Sequence, residues 1–120
     1  EQFDVACAYA GFHEHAFLYR LEYKPSEAIS MLDGILKSGS KLASTAAFYI
    51  ACIELNIDPT DPRVFRDARY LRPGRNREGK DAFKALAYLE ESIEIGNKVA
   101  ELCLGAMYLN NDLPFYKIYI

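Results

Sequence analysis

Apolar positions recur along most of this chain at helical spacing, and glycine and proline punctuate the pattern. From Gln2 to Tyr23, the residues Phe3, Ala6, Ala10, Phe17 and Leu21 recur at three-, four- and seven-residue intervals, as one face of a helix would. Gly11 interrupts this run and suggests its division into two helices. Pro25 suits the first turn of a helix, and residues 26–38 read as that helix, with Ala28, Ile29, Leu32, Ile35 and Leu36 on one face. Gly39 then supplies the left-handed position that commonly ends a helix. A further helix over about 41–55 carries Leu42, Ala46, Ala47, Tyr49, Ile50 and Ile53; apolar nearly all round, it should be buried on more than one side. Asp81 reads as the N-cap of a helix over 81–95 with Ala85, Leu86, Leu89 and Ile93 inward, and Gly96 closes it. Asn97 opens a partner helix to about Leu109, and Asn110, Asn111 and Asp112 make a turn before Leu113 and Pro114.

Two stretches match without a gap when the chain is shifted by 57 residues. Ala28, Leu32, Gly39, Lys41 and Ala43 fall on Ala85, Leu89, Gly96, Lys98 and Ala100; Ile29 falls on Leu86, Asp33 on Glu90 and Leu42 on Val99. Self-similarity of this kind signals one supersecondary unit used at least twice. The predicted fold is therefore all-α, with antiparallel helix pairs stacked as an α-solenoid. Its divisions are an N-terminal helical region (1–24), a first repeat (25–55), an insertion (56–80), a second repeat (81–112) and the start of a further repeat or a truncated end (113–120).

The insertion changes the picture of charge. It holds Pro59, Pro62, Pro73, Gly74 and Gly79, and a short helix from Pro62 to about Tyr70 is expected, capped by Asp61. Arg63, Arg66, Arg69, Arg72, Arg75, Arg77 and Lys80 face only four acids there, a surplus of three in a chain whose net charge is −3. The remainder is thus at −6. Four of the arginines are spaced by three and form a drifting basic stripe on a helix. They suit an acidic peptide, a phosphate or a nucleic acid; the alternative is pairing with the chain's own Glu90, Glu91 and Glu94.

The second copy has a recognisable pattern. Lys84–Ala85, Tyr88–Leu89, Gly96–Asn97, Ala100, Leu104–Gly105 and Tyr108 together resemble the Sel-1-like repeat, a relative of the tetratricopeptide repeat. The resemblance covers about 81–112 and, more weakly, 25–55, where Ala47 and Phe48 replace the family's Leu and Gly and Ala51 its Tyr. The 57-residue offset exceeds the usual unit, a difference the insertion accounts for. The resemblance implies an adaptor with a groove-like face for partner proteins, and it brings no catalytic residue and no cofactor. Ala100 and Gly105 would let helices approach closely, with no room for a side chain at Gly105. Leu104 would fill the space between them, and Tyr108 would cap the seam.

Other candidate chemistry is sparse. His13 and His15 flank Glu14, whereas helical zinc sites place histidines four apart. Cys7, Cys52 and Cys103 are odd in number and widely spaced, which reads as buried small hydrophobes in a reducing compartment such as the cytoplasm. Tyr9, Tyr19, Tyr23, Tyr49, Tyr88 and Tyr108 serve either as half-buried structure or as a contact surface. No Gly-rich phosphate loop or nucleophile motif occurs, and no stretch is long and apolar enough to span a membrane. The absence of an initial Met and the apolar end over 113–120 suggest an excised piece of a longer protein, whose last segment folds over the preceding pair or meets a second copy. The expected function is non-enzymatic protein–protein interaction; the alternative is anion or nucleic-acid binding through 63–77, nucleic acid being disfavoured by the acidic whole.

Replacing Arg69, Arg72, Arg75 and Arg77 together by Ser separates docking from internal pairing. A docking surface loses partner binding at unchanged melting temperature; an internal clamp lowers the melting temperature first.

Overall fold

The internal match reflects the physical demands of one helical hairpin met twice. A computed structural model describes residues 2–12, 15, 19, 21–55, 57–61 and 82–109, with Ala82 and the last four residues by backbone only. Among these are five α-helices and no strand: α1 Gln2–Tyr9, α2 Pro25–Lys37, α3 Ala43–Leu55, α4 Ala82–Ile95 and α5 Lys98–Leu109. Each helix packs on its successor in the chain. The radius of gyration is 13.5 Å, about what a globular chain of this length should have.

Several positions related by the 57-residue shift share their environments. Ala28 and Ala85 are fully buried, as are Leu32 and Leu89, while Ala43 and Ala100 lie in the same core. Lys41 and Lys98 are both exposed. Gly39 and Gly96 both take positive φ, 70° and 115°, the region that glycine enters without a Cβ penalty. At Gly96 the helix ends on a bonded pair of turns: Gly96 N–H donates to the Ile93 carbonyl at 2.9 Å and Asn97 N–H to that of Ser92 at 3.1 Å. The next helices also start alike. Ser40 Oγ accepts the N–H of Leu42 at 3.2 Å. Asn97, its equivalent, accepts those of Val99 and Ala100 at 2.9 and 3.1 Å, satisfying donors that a helix start leaves orphaned.

α3 is the centre of the molecule. Nine of its thirteen residues are buried, including Ile50, Ala51 and Cys52, because α2 covers one side and α4 the other. The Ser92 hydroxyl of α4 donates to the Ser44 carbonyl at 2.7 Å. This contact joins the last part of α4 to the first turn of α3, so the two run antiparallel and α2 and α4 run parallel. The N-terminal segment reaches α3 through rings: Phe3 of α1 and Phe12 beyond its end have centroids 5.2 and 5.4 Å from Tyr49, the second edge-on, a favoured aromatic geometry. The break expected at Gly11 is present, with φ at 73° and α1 ending at Tyr9; the second helix expected after it falls largely outside the described residues.

Two expectations are corrected. Leu42 precedes α3 and is 43% exposed instead of joining its buried surface; the Ser40 cap starts the helix after it. Gly105 is exposed, and a Cβ built there meets no described atom within 4 Å. The close approach expected at Gly105 is therefore not made by the described residues. The Asp81 cap, the short helix from Pro62 and the segment 113–120 lie outside them.

Leu89→Ala should cost about 2–5 kcal/mol, as for other fully buried leucines. Gly105→Ala should be neutral or stabilising by up to about 1 kcal/mol, through helix propensity alone. Urea denaturation of both variants checks the contrast.

Candidate functional site

Parallel placement of the two first helices leaves a cleft between them. It has a volume of about 330 Å³ and is lined by Asp33, Leu36 and Lys37 of α2 and by Lys84, Ala87, Tyr88 and Glu91 of α4. The helical period dictates this lining. Asp33 and Lys37, and likewise Lys84, Tyr88 and Glu91, recur at three- or four-residue steps and so share a face. Leu36 is buried beneath them, Tyr88 is half-buried, and Lys84, Ala87 and Glu91 are exposed.

A polar clasp spans this cleft. Lys37 Nζ lies 2.7 Å from an Asp33 carboxylate oxygen, one helical turn away. The Tyr88 hydroxyl donates to the other oxygen of the same carboxylate at 3.2 Å. The hydrogen bond from Lys37, with a smaller one from Tyr88, holds the Asp33 carboxyl below its usual range. Burial, and then the Asp33 charge, pushes the Tyr88 phenol up. Because the Asp33 pKa is lowered on folding, the clasp contributes fully above the ordinary aspartate value of 3.8. Its contribution is lost as pH falls through the lowered folded value.

Of the residues singled out from sequence, Ala85, Leu89 and Ala100 are fully buried, Leu104 is half-buried and Gly105 exposed. Gly96 makes the turn between α4 and α5. Tyr108 belongs to α5, its side chain outside the described residues. Arg63, Arg66, Arg69, Arg72, Arg75 and Arg77 also lie outside them. The acids proposed as their partners, Glu90, Glu91 and Glu94, are all exposed on α4. Tyr19 and Tyr23 are exposed, whereas Tyr9, Tyr49 and Tyr88 are half-buried.

Asp33 and Lys37 were not singled out from sequence. Their spacing of four is a visible ion-pair signal, but the link from Asp33 to Tyr88 needs α2 and α4 side by side. His15 Nε2 lies 3.3 Å from Asp4, and no group of three metal-binding side chains occurs among the described residues. None of the three cysteines is in a disulfide, and all are fully buried. Burial pushes the Cys7 and Cys103 thiols up to about 12, and that of Cys52 well above its ordinary value. Thiols so placed are poor nucleophiles at neutral pH.

Tyr88→Phe removes one donor from the clasp and should cost at most about 1 kcal/mol at neutral pH, since the site is half-open to solvent. The difference from the parent should narrow on acidification below the ordinary aspartate range, which denaturant titrations at several pH values would check. In comparison with known proteins, the chain matches no family model, no curated protein and no solved structure.

Proposed function

We propose that this chain is a non-enzymatic protein-interaction module of stacked helix pairs, Sel-1-like in pattern, whose partner segment lies in the cleft between α2 and α4. The observation that carries this reading is the equivalence of the two hairpins. It sets their first helices parallel and leaves a cleft of about 330 Å³ open between them. Extending the same stacking rule beyond two units would make a solenoid, because each unit contacts only its neighbours. The cleft suits a peptide better than a rigid small ligand: its floor is apolar at Leu36, and charges of both signs stand on its walls. Such a mixed rim gives register and specificity more than raw affinity.

The second reading, anion binding through Arg63 to Arg77, rests on the basic surplus of the insertion. Photo-crosslinking discriminates. A benzophenone side chain at Ala87, which lines the cleft, should capture one polypeptide that the same group at Lys41 does not. Equal capture at both positions would overturn the cleft assignment. Binding that collapses steeply with salt would favour the arginines instead, because each phosphate contact releases counterions.

A further inference from the structure

A second cavity lies on another part of the molecule, where α1 and α3 both end. Its volume is about 380 Å³; the N-terminal segment supplies Gly11, Phe12 and Tyr23 to its walls, and α3 with the residues after it supplies Cys52, Ile53 and Ile57. Phe12, Cys52, Ile53 and Ile57 are all buried, whereas Gly11 and Tyr23 are exposed, so the cavity opens on the Gly11–Tyr23 side. Interiors are close-packed, with few voids larger than a water molecule. A space of this size beside buried apolar side chains persists only where its walls cannot close in. Main-chain bonds fix these walls. Beyond α1, Phe12 N–H donates to the Cys7 carbonyl at 3.1 Å, and Lys24 N–H donates to that of Tyr9 at 2.8 Å, which holds Tyr23 at the end of the helix. Beyond α3, Ile57 N–H donates to the Cys52 carbonyl at 2.9 Å. The Tyr23 ring lies against Gly11, where a Cβ would meet it at 3.0 Å, so this aromatic wall depends on the glycine. A preformed, mostly apolar cavity of such a size is the ordinary form of a small-molecule site.

We propose that this cavity binds a compact neutral molecule with one aromatic ring and a single hydroxyl, the ring against Phe12, Tyr23, Ile53 and Ile57 and the hydroxyl at the mouth. The two aromatic walls favour a ring, because stacked and edge contacts add to the gain from buried area. Neutrality follows from desolvation: a charge carried between apolar walls loses hydration that it must recover from a partner. The Cys52 thiol stays protonated, since burial pushes it well above its ordinary value. The carbonyl ends of two helices further disfavour an anion. Asp58, also at the lining, is already engaged: its Oδ1 accepts the N–H and hydroxyl of Thr60 at 2.9 and 2.6 Å. No contact to the ligand is assigned to it. The cavity shares no described lining residue with the α2–α4 cleft, and binding here does not depend on the function proposed for that cleft.

The test titrates the whole chain with benzyl alcohol, benzylamine and benzoate, three molecules with the same ring and different charge, while recording backbone amide shifts. The alcohol should bind most tightly, with shifts centred on Gly11, Phe12, Ile53 and Ile57. Tyr23→Ser removes one aromatic wall at an exposed position and should weaken the alcohol by about three- to tenfold, the worth of one aromatic pair. Either ion binding as tightly as the alcohol overturns the proposal, as does the absence of shifts at those four residues at millimolar alcohol. Unchanged affinity in a folded Tyr23→Ser protein overturns it too. A phenylalanine capped at both ends that binds more tightly than benzyl alcohol overturns the free-ligand assignment in favour of a partner's side chain. The comparison of three ligands on the unaltered protein stands even if the Tyr23 variant fails to fold.

Discussion

The burial of α3 on two sides is the constraint from which the other packing follows. A helix with apolar residues all round its surface cannot rest against a single neighbour without exposing one flank to water. Nine buried residues on α3 require α2 and α4 together, and small side chains at Ala43, Ala46, Ala47 and Ala51 let both approach. Once α3 is enclosed, α2 and α4 stand parallel on either side of it, and their neighbouring faces become the walls of a cleft. The geometry of the proposed interaction site is in this sense a by-product of core burial. Rings from the N-terminal segment pack on α3 as well, where Phe3 and Phe12 meet Tyr49.

Apolar packing alone would leave the two units free to slide, since it is non-directional. Two hydrogen bonds of long sequence range act against this. Ser92 is fully buried and bonds the backbone of Ser44; Tyr88 bonds Asp33 across 55 residues. The first lies in the core near the hairpin turns, the second on the rim of the cleft. Their positions differ in consequence. Leaving the buried serine without its acceptor would carry a desolvation penalty, whereas water can replace a rim partner at small cost. The units are thus held firmly at one place and loosely at another.

Much of the fold was legible because its signals are local. Gly39 and Gly96 declare their turns by conformational freedom, Asn97 declares a helix start by its side-chain acceptor, and the stripes Ala28–Leu32 and Ala85–Leu89 declare their inward faces by period. The repeat offset carried this further, since Ala28, Leu32 and Ala43 are buried as their counterparts Ala85, Leu89 and Ala100 are. What the chain did not disclose depends on neighbours distant in sequence. Leu42 has the hydropathy of a core residue, yet the Ser40 cap places it outside the helix and in solvent. Gly105 has the size that close packing needs, but size is only permissive, and no described residue packs against it. The clasp of Asp33, Lys37 and Tyr88 was half visible as an i, i+4 pair; its third member enters only through the parallel alignment of α2 and α4.

The placement of the cysteines has a practical side. Cys7, Cys52 and Cys103 sit one each on α1, α3 and α5, all without solvent exposure and none in a disulfide. A sulfur held this way meets a reagent only when its own helix opens, because the folded state hides it and keeps the proton on. The chain therefore carries an inbuilt label on each of three successive layers. The order in which the sulfurs become accessible under mild denaturant records whether the layers peel apart in turn or separate at once, which distinguishes a modular stack from a single cooperative globule.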